Sequence, residues 1–243
     1  MLQQDTKILI IGLGLIGGSY AEGLRRAGYE VGAVTRSQQT IDYALEKGLI
    51  DSGTTTPTAD YIGRFDRIQS QLRPDLEFIG AHPIAGREKS GVQNADCGIF
   101  HGANYIVTPT DRNTPEAIET CMELGRILGF ARISTLSPAA HDEMIGFLSQ
   151  LTHCIAVALM NCKESHHLVD FTGDSFRDLT RIARINDEMW PELFALNKTE
   201  LLGQMDLFRR EFERLRDAIA ADDTDTVREM MRTSTLRRSF FDK

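Results

Sequence analysis

Residues 7–17 read Lys7-Ile8-Leu9-Ile10-Ile11-Gly12-Leu13-Gly14-Leu15-Ile16-Gly17. The aliphatic run at the start is typical of a buried parallel strand. Three glycines follow it at the spacing GxGxxG. A helical stretch over Tyr20–Ala27 comes next, and Tyr29–Val34 has the composition of a second strand. This strand–turn–helix–strand order predicts an open α/β sheet.

The three glycines each have a physical use. Gly12 permits the tight turn, Gly14 lets the backbone approach a diphosphate, and Gly17 lets the helix pack close to the strand. The first turn of the helix offers free N–H groups to the same anion. We therefore predict a Rossmann-type dinucleotide site lined by Gly12, Leu13, Gly14, Leu15, Ile16 and Gly17.

The end of the second strand bears on the choice of dinucleotide. An NAD-preferring site usually has an acidic residue there, which binds the ribose 2′-hydroxyl. This chain has Thr35-Arg36-Ser37 instead. Arg36 can stack on adenine or bind a 2′-phosphate. We assign Thr35, Arg36 and Ser37 to the cofactor site, and these residues leave NAD and NADP open.

A polar, glycine-rich loop is the predicted centre of the chemistry. The short apolar run Phe78–Ala81 is predicted to be a buried strand, and the sequence from His82 to Gly91 follows it. Loops at the carboxyl ends of strands are where open α/β sheets bind their ligands. His82 is the candidate general base in this loop, because imidazole titrates near neutral pH.

A change of pattern near residue 136 divides the chain. Residues 1–136 are predicted to form the α/β domain and residues 137–243 an all-helical domain. In the second part, an apolar stripe alternates steps of four and three residues. The stripe predicts either an intramolecular core or a dimer seam, and it consists of Leu201, Met205, Phe208, Phe212, Leu215 and Ile219.

Composition limits the partners and the compartment. The 243 residues carry a net charge of −8, which argues against a nucleic-acid binder. No apolar run approaches about 18 residues and no signal peptide is visible, so we expect no membrane partner. The four cysteines form no CxxC pair, and the adjacent His166 and His167 point in different directions on a helix. We therefore expect a cytoplasmic protein with reduced thiols and no metal site.

Four ordered blocks resemble the prephenate dehydrogenases of tyrosine biosynthesis. They are the glycine turn, His82–Gly86, Leu148–His153 and Phe176–Ala183. The resemblance covers nearly the whole chain and implies a Rossmann-type domain followed by an all-α dimerisation domain. It implies NAD-dependent oxidative decarboxylation of prephenate to 4-hydroxyphenylpyruvate. Arogenate dehydrogenase, whose substrate has an amino group in place of the side-chain keto group, is the close alternative.

The resemblance also implies roles for individual residues. His82 matches the catalytic histidine, and His153 matches a second active-site histidine in the helical domain. Arg181 matches the arginine that pairs with a substrate carboxylate. Glu88 matches an acidic residue at the entrance of the site, and Trp190 a tryptophan near the substrate. The family arrangement further implies a homodimer through the helical domain.

The chain departs from the family pattern near residues 60–75. The family has a further strand there, which runs into a segment whose serine assists the catalytic histidine. Only about 25 residues separate Asp51 from Phe78, and a βαβ unit needs roughly 30 or more. We therefore predict that about one such unit is missing. A shortened, catalytically impaired dimeric homologue is the alternative to an active enzyme.

Overall fold

The computed structural model describes residues 2–55, 76–86, 89–164 and 166–242. The chain forms two compact units, Met1–His141 and Asp142–Lys243, called here the N-terminal and the C-terminal unit. Their boundary lies five residues after the predicted division at 136/137. The predicted missing unit near residues 60–75 falls outside the described residues.

The first sheet of the N-terminal unit is built around the glycine turn. Its strands are β1 (Lys7–Ile11), β2 (Glu30–Val34) and β3 (Ser52–Thr54), all parallel and in that order. Helix α1 (Leu15–Arg26) connects β1 to β2, and α2 (Gln38–Glu46) connects β2 to β3. This is the predicted strand–turn–helix–strand unit, followed by a further helix and strand.

A second sheet lies in the same unit. It contains β4 (Gly80–Ile84), β5 (Asn104–Thr108) and β6 (Arg132–Thr135), in that order. Strand β4 is antiparallel to β5, whereas β5 is parallel to β6. Helix α3 (Pro115–Ile127) connects β5 to β6, and Thr114 caps its first turn by accepting a hydrogen bond from the Ala117 N–H.

Strand β4 differs from its predicted bounds. The predicted strand covers Phe78–Ala81, but β4 begins two residues later and includes His82. His82 therefore lies within a strand, opposite Ile106 of β5, and not in a loop. Pro83 has no N–H to donate, and within the described residues β4 pairs with a strand on one side only. That edge position tolerates proline.

The core of the N-terminal unit is made by α1, the sheets and a group of aromatic rings. The side chains with almost no exposure include Leu24, Val31, Ile41, Phe100, Tyr105 and Val107. The Phe100 and Tyr105 rings each lie 4.8 Å from the Phe130 ring between centroids. Such aromatic pairs add to the free energy gained by burying the rings. This core fixes the positions of β2, β5 and α1.

The regular elements in the described part of the C-terminal unit are all helices. One long helix, Pro138–Asn161, crosses the boundary between the units. It comprises α4 (Pro138–Ile145), a π-helical segment (Gly146–Leu151) and α5 (Thr152–Asn161). The remaining α-helices are α6 (Asp174–Thr180), α7 (Met189–Leu196), α8 (Lys198–Ala220) and α9 (Thr224–Ser239). No strand occurs in the described residues of this unit, as the sequence predicts.

Much of the apolar surface of this unit is exposed. In the stripe on α8, Leu201 is only 5% exposed, but Phe212 is 61% exposed and Ile219 is 59% exposed. An intramolecular core would bury these side chains. The stripe is therefore not buried along its whole length as an intramolecular core.

The long helix Pro138–Asn161 is also mostly exposed. By length and composition alone, this 24-residue helix could cross a membrane. The sequence predicted no membrane span here, because polar residues such as His141, Gln150 and His153 interrupt every apolar run of this helix. Interface and core helices of soluble proteins share this composition, so one such helix is weak evidence for a membrane span.

Candidate active site

The glycine turn forms an open cradle. Gly12 has a φ of +95°, a backbone angle that residues other than glycine rarely adopt. No atom of the described residues lies within 4 Å of the position that a Cβ would take at Gly12 or Gly14. At Gly17 a Cβ would collide with the carbonyl oxygen of Gly12. Gly17 therefore permits the close approach of helix to strand, and the other two glycines leave space for a ligand.

The first turn of α1 follows this cradle directly, and no side chain of the described residues caps it. Gly14 is the N-cap residue and provides no side chain to cap the helix. The first N–H groups of a helix have no partner within the helix and carry the positive end of its dipole. The turn thus offers hydrogen-bond donors beside an open backbone. These features fit the diphosphate of a dinucleotide.

The three residues after β2 have different surroundings. The Thr35 N–H donates to the carbonyl of Thr54, which joins β2 to β3. The Ser37 hydroxyl accepts a hydrogen bond from the Thr40 N–H at 3.3 Å and so caps α2. Arg36 is exposed. Ser37 therefore has a structural role in the helix cap, and Arg36 is the residue with freedom to contact an adenosine group.

His82 and His141 form a hydrogen-bonded pair. The Nδ1 of His82 lies 2.9 Å from the Nε2 of His141. Their ring centroids are 5.2 Å apart and the planes are tilted by 54°, so the rings meet edge to edge and do not stack. Both rings are half-buried. Burial first, and the charge of His141 second, lower the pKa of His82 below its usual value. His82 is therefore neutral, and able to accept a proton, at neutral pH.

Sequence analysis missed His141. The contact joins residues 59 positions apart, so no local pattern contains it. The one local signal is the helix start at Ser137-Pro138, where the Ser137 hydroxyl accepts from the Ala140 N–H. His141 lies one residue further along, in the first turn of α4, and its N–H donates to the Ser137 carbonyl.

The π-helical segment in the C-terminal unit sets the position of His153. The Nδ1 of His153 lies 2.8 Å from the carbonyl oxygen of Ser149. The Thr152 hydroxyl donates to the same oxygen at 2.7 Å. A carbonyl oxygen only accepts, so Nδ1 carries the proton and the Nε2 of neutral His153 is an acceptor. π-Helical turns occur frequently at functional sites.

Trp190 lies against His153. The two ring centroids are 3.9 Å apart, and the planes are inclined by 31°. Phe194, on the same helix α7, lies 5.5 Å from the Trp190 ring. The structure thus brings together two of the predicted site residues, His153 and Trp190, and their rings support each other.

Arg181 begins a 3₁₀ turn, Arg181–Ala183, which packs against α5, the helix that carries His153. Arg181 is exposed. The neighbouring Arg177 forms an ion pair with Asp174 at 3.2 Å and donates to the Thr172 carbonyl at 2.8 Å. Arg177 thus stabilises its own helix. Glu88, the remaining predicted substrate-binding residue, lies outside the described residues.

One cluster in the N-terminal unit has the composition of a metal site. Single ligand atoms of Glu22, Asp96 and Cys97 lie within 4.8 Å of one another. Two of these side chains already accept backbone hydrogen bonds, Glu22 from the Cys97 N–H and Asp96 from the Gly98 N–H. The cluster therefore attaches a 3₁₀ turn to α1. All four cysteines are free thiols.

Two protein-family models match the chain. The model described as prephenate dehydrogenase, nucleotide-binding domain, matches residues 64–130. The model described as prephenate dehydrogenase, dimerization domain, matches residues 137–233. Together the two matches span more than half of the chain. The chain belongs to the prephenate dehydrogenase family. The family resemblance and the predicted fold class are thereby confirmed.

Individual members of the prephenate dehydrogenase family are similar to this chain in sequence and in structure. The prephenate dehydrogenase of Bacillus subtilis is 27% identical over 283 positions, which cover 96% of this chain and 76% of that protein. The structure of prephenate dehydrogenase from A. aeolicus with hydroxyphenyl propionate and NAD+ has 25% identity and a TM-score of 0.83, covering 99% of both chains. The Synechocystis arogenate dehydrogenase structure, at 24% identity and a TM-score of 0.82, covers 98% of this chain and all of that one. It shows the common fold.

Proposed function

We propose that the protein is an NAD-dependent prephenate dehydrogenase, which converts prephenate to 4-hydroxyphenylpyruvate by oxidative decarboxylation. The observation that carries this proposal is His82, a half-buried neutral imidazole whose Nδ1 is held by His141. It lies in the same unit as the open glycine turn, in a chain of the prephenate dehydrogenase family. A base and a dinucleotide cradle are the two parts that this reaction requires.

The chemistry follows from the substrate. Bound NAD supplies the acceptor for the hydride that leaves the ring carbon bearing the hydroxyl. His82 accepts the hydroxyl proton on Nε2, because Nδ1 is bound to His141. The ring carboxylate then leaves as carbon dioxide, its bonding electrons complete the aromatic ring, and the phenolate oxygen takes the proton back from His82 to give 4-hydroxyphenylpyruvate. Aromatisation drives the reaction, so the residues need only hold the substrate and move one proton.

Binding of the substrate is assigned to the C-terminal unit. Arg181 binds a carboxylate, for which a guanidinium offers two parallel N–H donors. His153 offers Nε2 to a polar group of the substrate, and Trp190 supports the imidazole ring. Glu88 is proposed to lie at the entrance of the site. Only His82 among these residues is proposed to move a proton in the chemical step.

NAD is the proposed cofactor, and the A. aeolicus relative with NAD+ supports it. The residues of this chain fit a dinucleotide at Gly12–Gly17, where the backbone is open and the N–H groups of α1 are available. Leu13 is buried and belongs to the core of the N-terminal unit. Arg36 is exposed beside Thr35 and Ser37 and could contact a 2′-phosphate, so NADP is the second cofactor to test.

A homodimer through the C-terminal unit is also proposed. The exposed apolar side chains of α8 and of the helix Pro138–Asn161 would be stabilised if a partner buried them. The match to the dimerization-domain model supports a second copy of this chain as that partner. A dimer would also account for the apolar helix without a membrane. We place the enzyme in the cytoplasm, where its free thiols stay reduced.

A second candidate, a shortened and catalytically impaired homologue, is favoured by β1. Strands of a parallel sheet are normally covered on both faces. Leu9 is 61% exposed and Ile11 is 49% exposed, and within the described residues β1 pairs only with β2. The alignment with the Bacillus subtilis enzyme also runs over 40 positions more than this chain has residues. Both observations support the predicted loss of a strand and its helix.

One experiment separates these candidates. The purified chain is assayed with prephenate and with arogenate, each with NAD and with NADP, and reduced cofactor and carbon dioxide are measured. The proposal predicts equal amounts of both products with prephenate and NAD. Turnover of arogenate alone would make the protein an arogenate dehydrogenase. A folded dimer without activity in all four assays would identify the impaired homologue.

A further inference from the structure

The contact between His82 and His141 carries an inference about how the base is prepared. Two ring nitrogens 2.9 Å apart share one proton, and either imidazole can be the donor. If His141 donates, the proton of neutral His82 lies on Nε2 and the ring cannot accept another there. If His82 donates from Nδ1, its Nε2 has a free lone pair. Only the second arrangement makes His82 a base toward a ligand.

The surroundings hold His141 in place for this contact. The Ser137 hydroxyl and carbonyl fix the first turn of α4, and the His141 N–H is one of the groups bound there. His82 is fixed in turn by the pairing of β4 with β5. A rigid backbone on both sides means that the two rings keep their relative geometry while a proton arrives at Nε2.

We propose that His141 is a positioning residue, which accepts the Nδ1 proton of His82 and thereby holds His82 in the tautomer that can act as a base. When His82 takes the hydroxyl proton it becomes an imidazolium, and its Nδ1–H donates more strongly to His141. This inference rests on the proposed function, and it adds a second histidine to the machinery of the N-terminal unit.

The test compares two variants of the whole 243-residue chain. His141→Leu removes the acceptor, whereas His141→Gln keeps an amide oxygen near the position of Nε2. We expect His141→Leu to lower kcat by about 10- to 100-fold, the loss typical of a hydrogen bond to a charged group. The KM for prephenate and the affinity for NAD should stay unchanged, and His141→Gln should recover most of the kcat. Equal losses in both variants, or no loss in His141→Leu, would overturn the proposal.

A second readout does not depend on activity. Nitrogen NMR of protein labelled in its histidines reports which ring nitrogen carries the proton, and His82→Asn assigns the signal. The wild-type protein should hold neutral His82 with its proton on Nδ1, and His141→Leu should give a mixture of tautomers. A wild-type proton on Nε2 would refute the proposal, even if His141→Leu failed to fold. An inactive wild type with the Nδ1 tautomer would refute the proposed function alone.

Discussion

The two units of the chain bury their apolar residues to different degrees. The N-terminal unit has a contiguous core of fully buried side chains, which include Leu24, Val31 and Phe100. The C-terminal unit has long helices, but most of the apolar stripe on α8 is exposed. A closed core stabilises a unit by itself, whereas an exposed apolar face needs a partner. The difference suggests a division of labour, with proton transfer assigned to the first unit and substrate binding and assembly to the second.

The largest expected effect concerns the base in the N-terminal unit. Because general bases contribute about 10²- to 10⁴-fold, His82→Asn should lower kcat by that factor and leave the NAD affinity nearly unchanged. Steady-state kinetics and calorimetric titration with NAD measure the two quantities. His167→Asn, at an exposed position, is the matched control and should behave as the wild type. If NAD affinity fell as far as turnover, His82 would be a structural residue.

Arg181 tests the binding role of the C-terminal unit. Arg181→Gln should raise the KM for prephenate by about 10- to 100-fold with a smaller change in kcat, because a charged hydrogen bond to a carboxylate is lost. The matched control is Arg177→Gln, since Arg177 is held by Asp174 and the Thr172 carbonyl. Equal effects in both variants would mean that the positive charge of the helix, and not Arg181, attracts the substrate.

The next prediction concerns the exposed stripe on α8 and its proposed role in dimer association. Phe212→Asp should weaken dimer association by at least about 10-fold, because an apolar ring buried at a seam is replaced by a charge. Sedimentation velocity at several protein concentrations measures the change. Arg210→Asp is the control, since Arg210 lies on the opposite side of the helix from Phe212. A Phe212→Asp protein that dimerises as the wild type does would place the seam elsewhere.

The smallest effect is a shift in pH dependence. Burial lowers the pKa of His82, and the charge of His141 lowers it further. A histidine with a lowered pKa stays neutral to lower pH, so the acidic limb of kcat/KM should lie below about 6.5, the usual value for histidine. A pH profile of kcat/KM with prephenate checks this. An acidic limb above that value would show that another group controls activity.

The parts predicted correctly from the sequence are those that depend on local backbone chemistry. Gly12 adopts the positive φ that suits the predicted tight turn, and α1 and β2 follow it in the predicted order. The start of β4 was predicted two residues early, because its bounds depend on pairing with β5, which lies distant in sequence. His141 was missed for the same reason, since only the folded sheet brings it to His82.

The central claim is that this chain transfers a hydride from prephenate to NAD. The most direct measurement uses prephenate with deuterium on the ring carbon that bears the hydroxyl. After turnover by the purified protein, mass spectrometry of the reduced cofactor should show one deuterium for each carbon dioxide released. Reduced cofactor without deuterium, or carbon dioxide released with no reduced cofactor, would contradict the account.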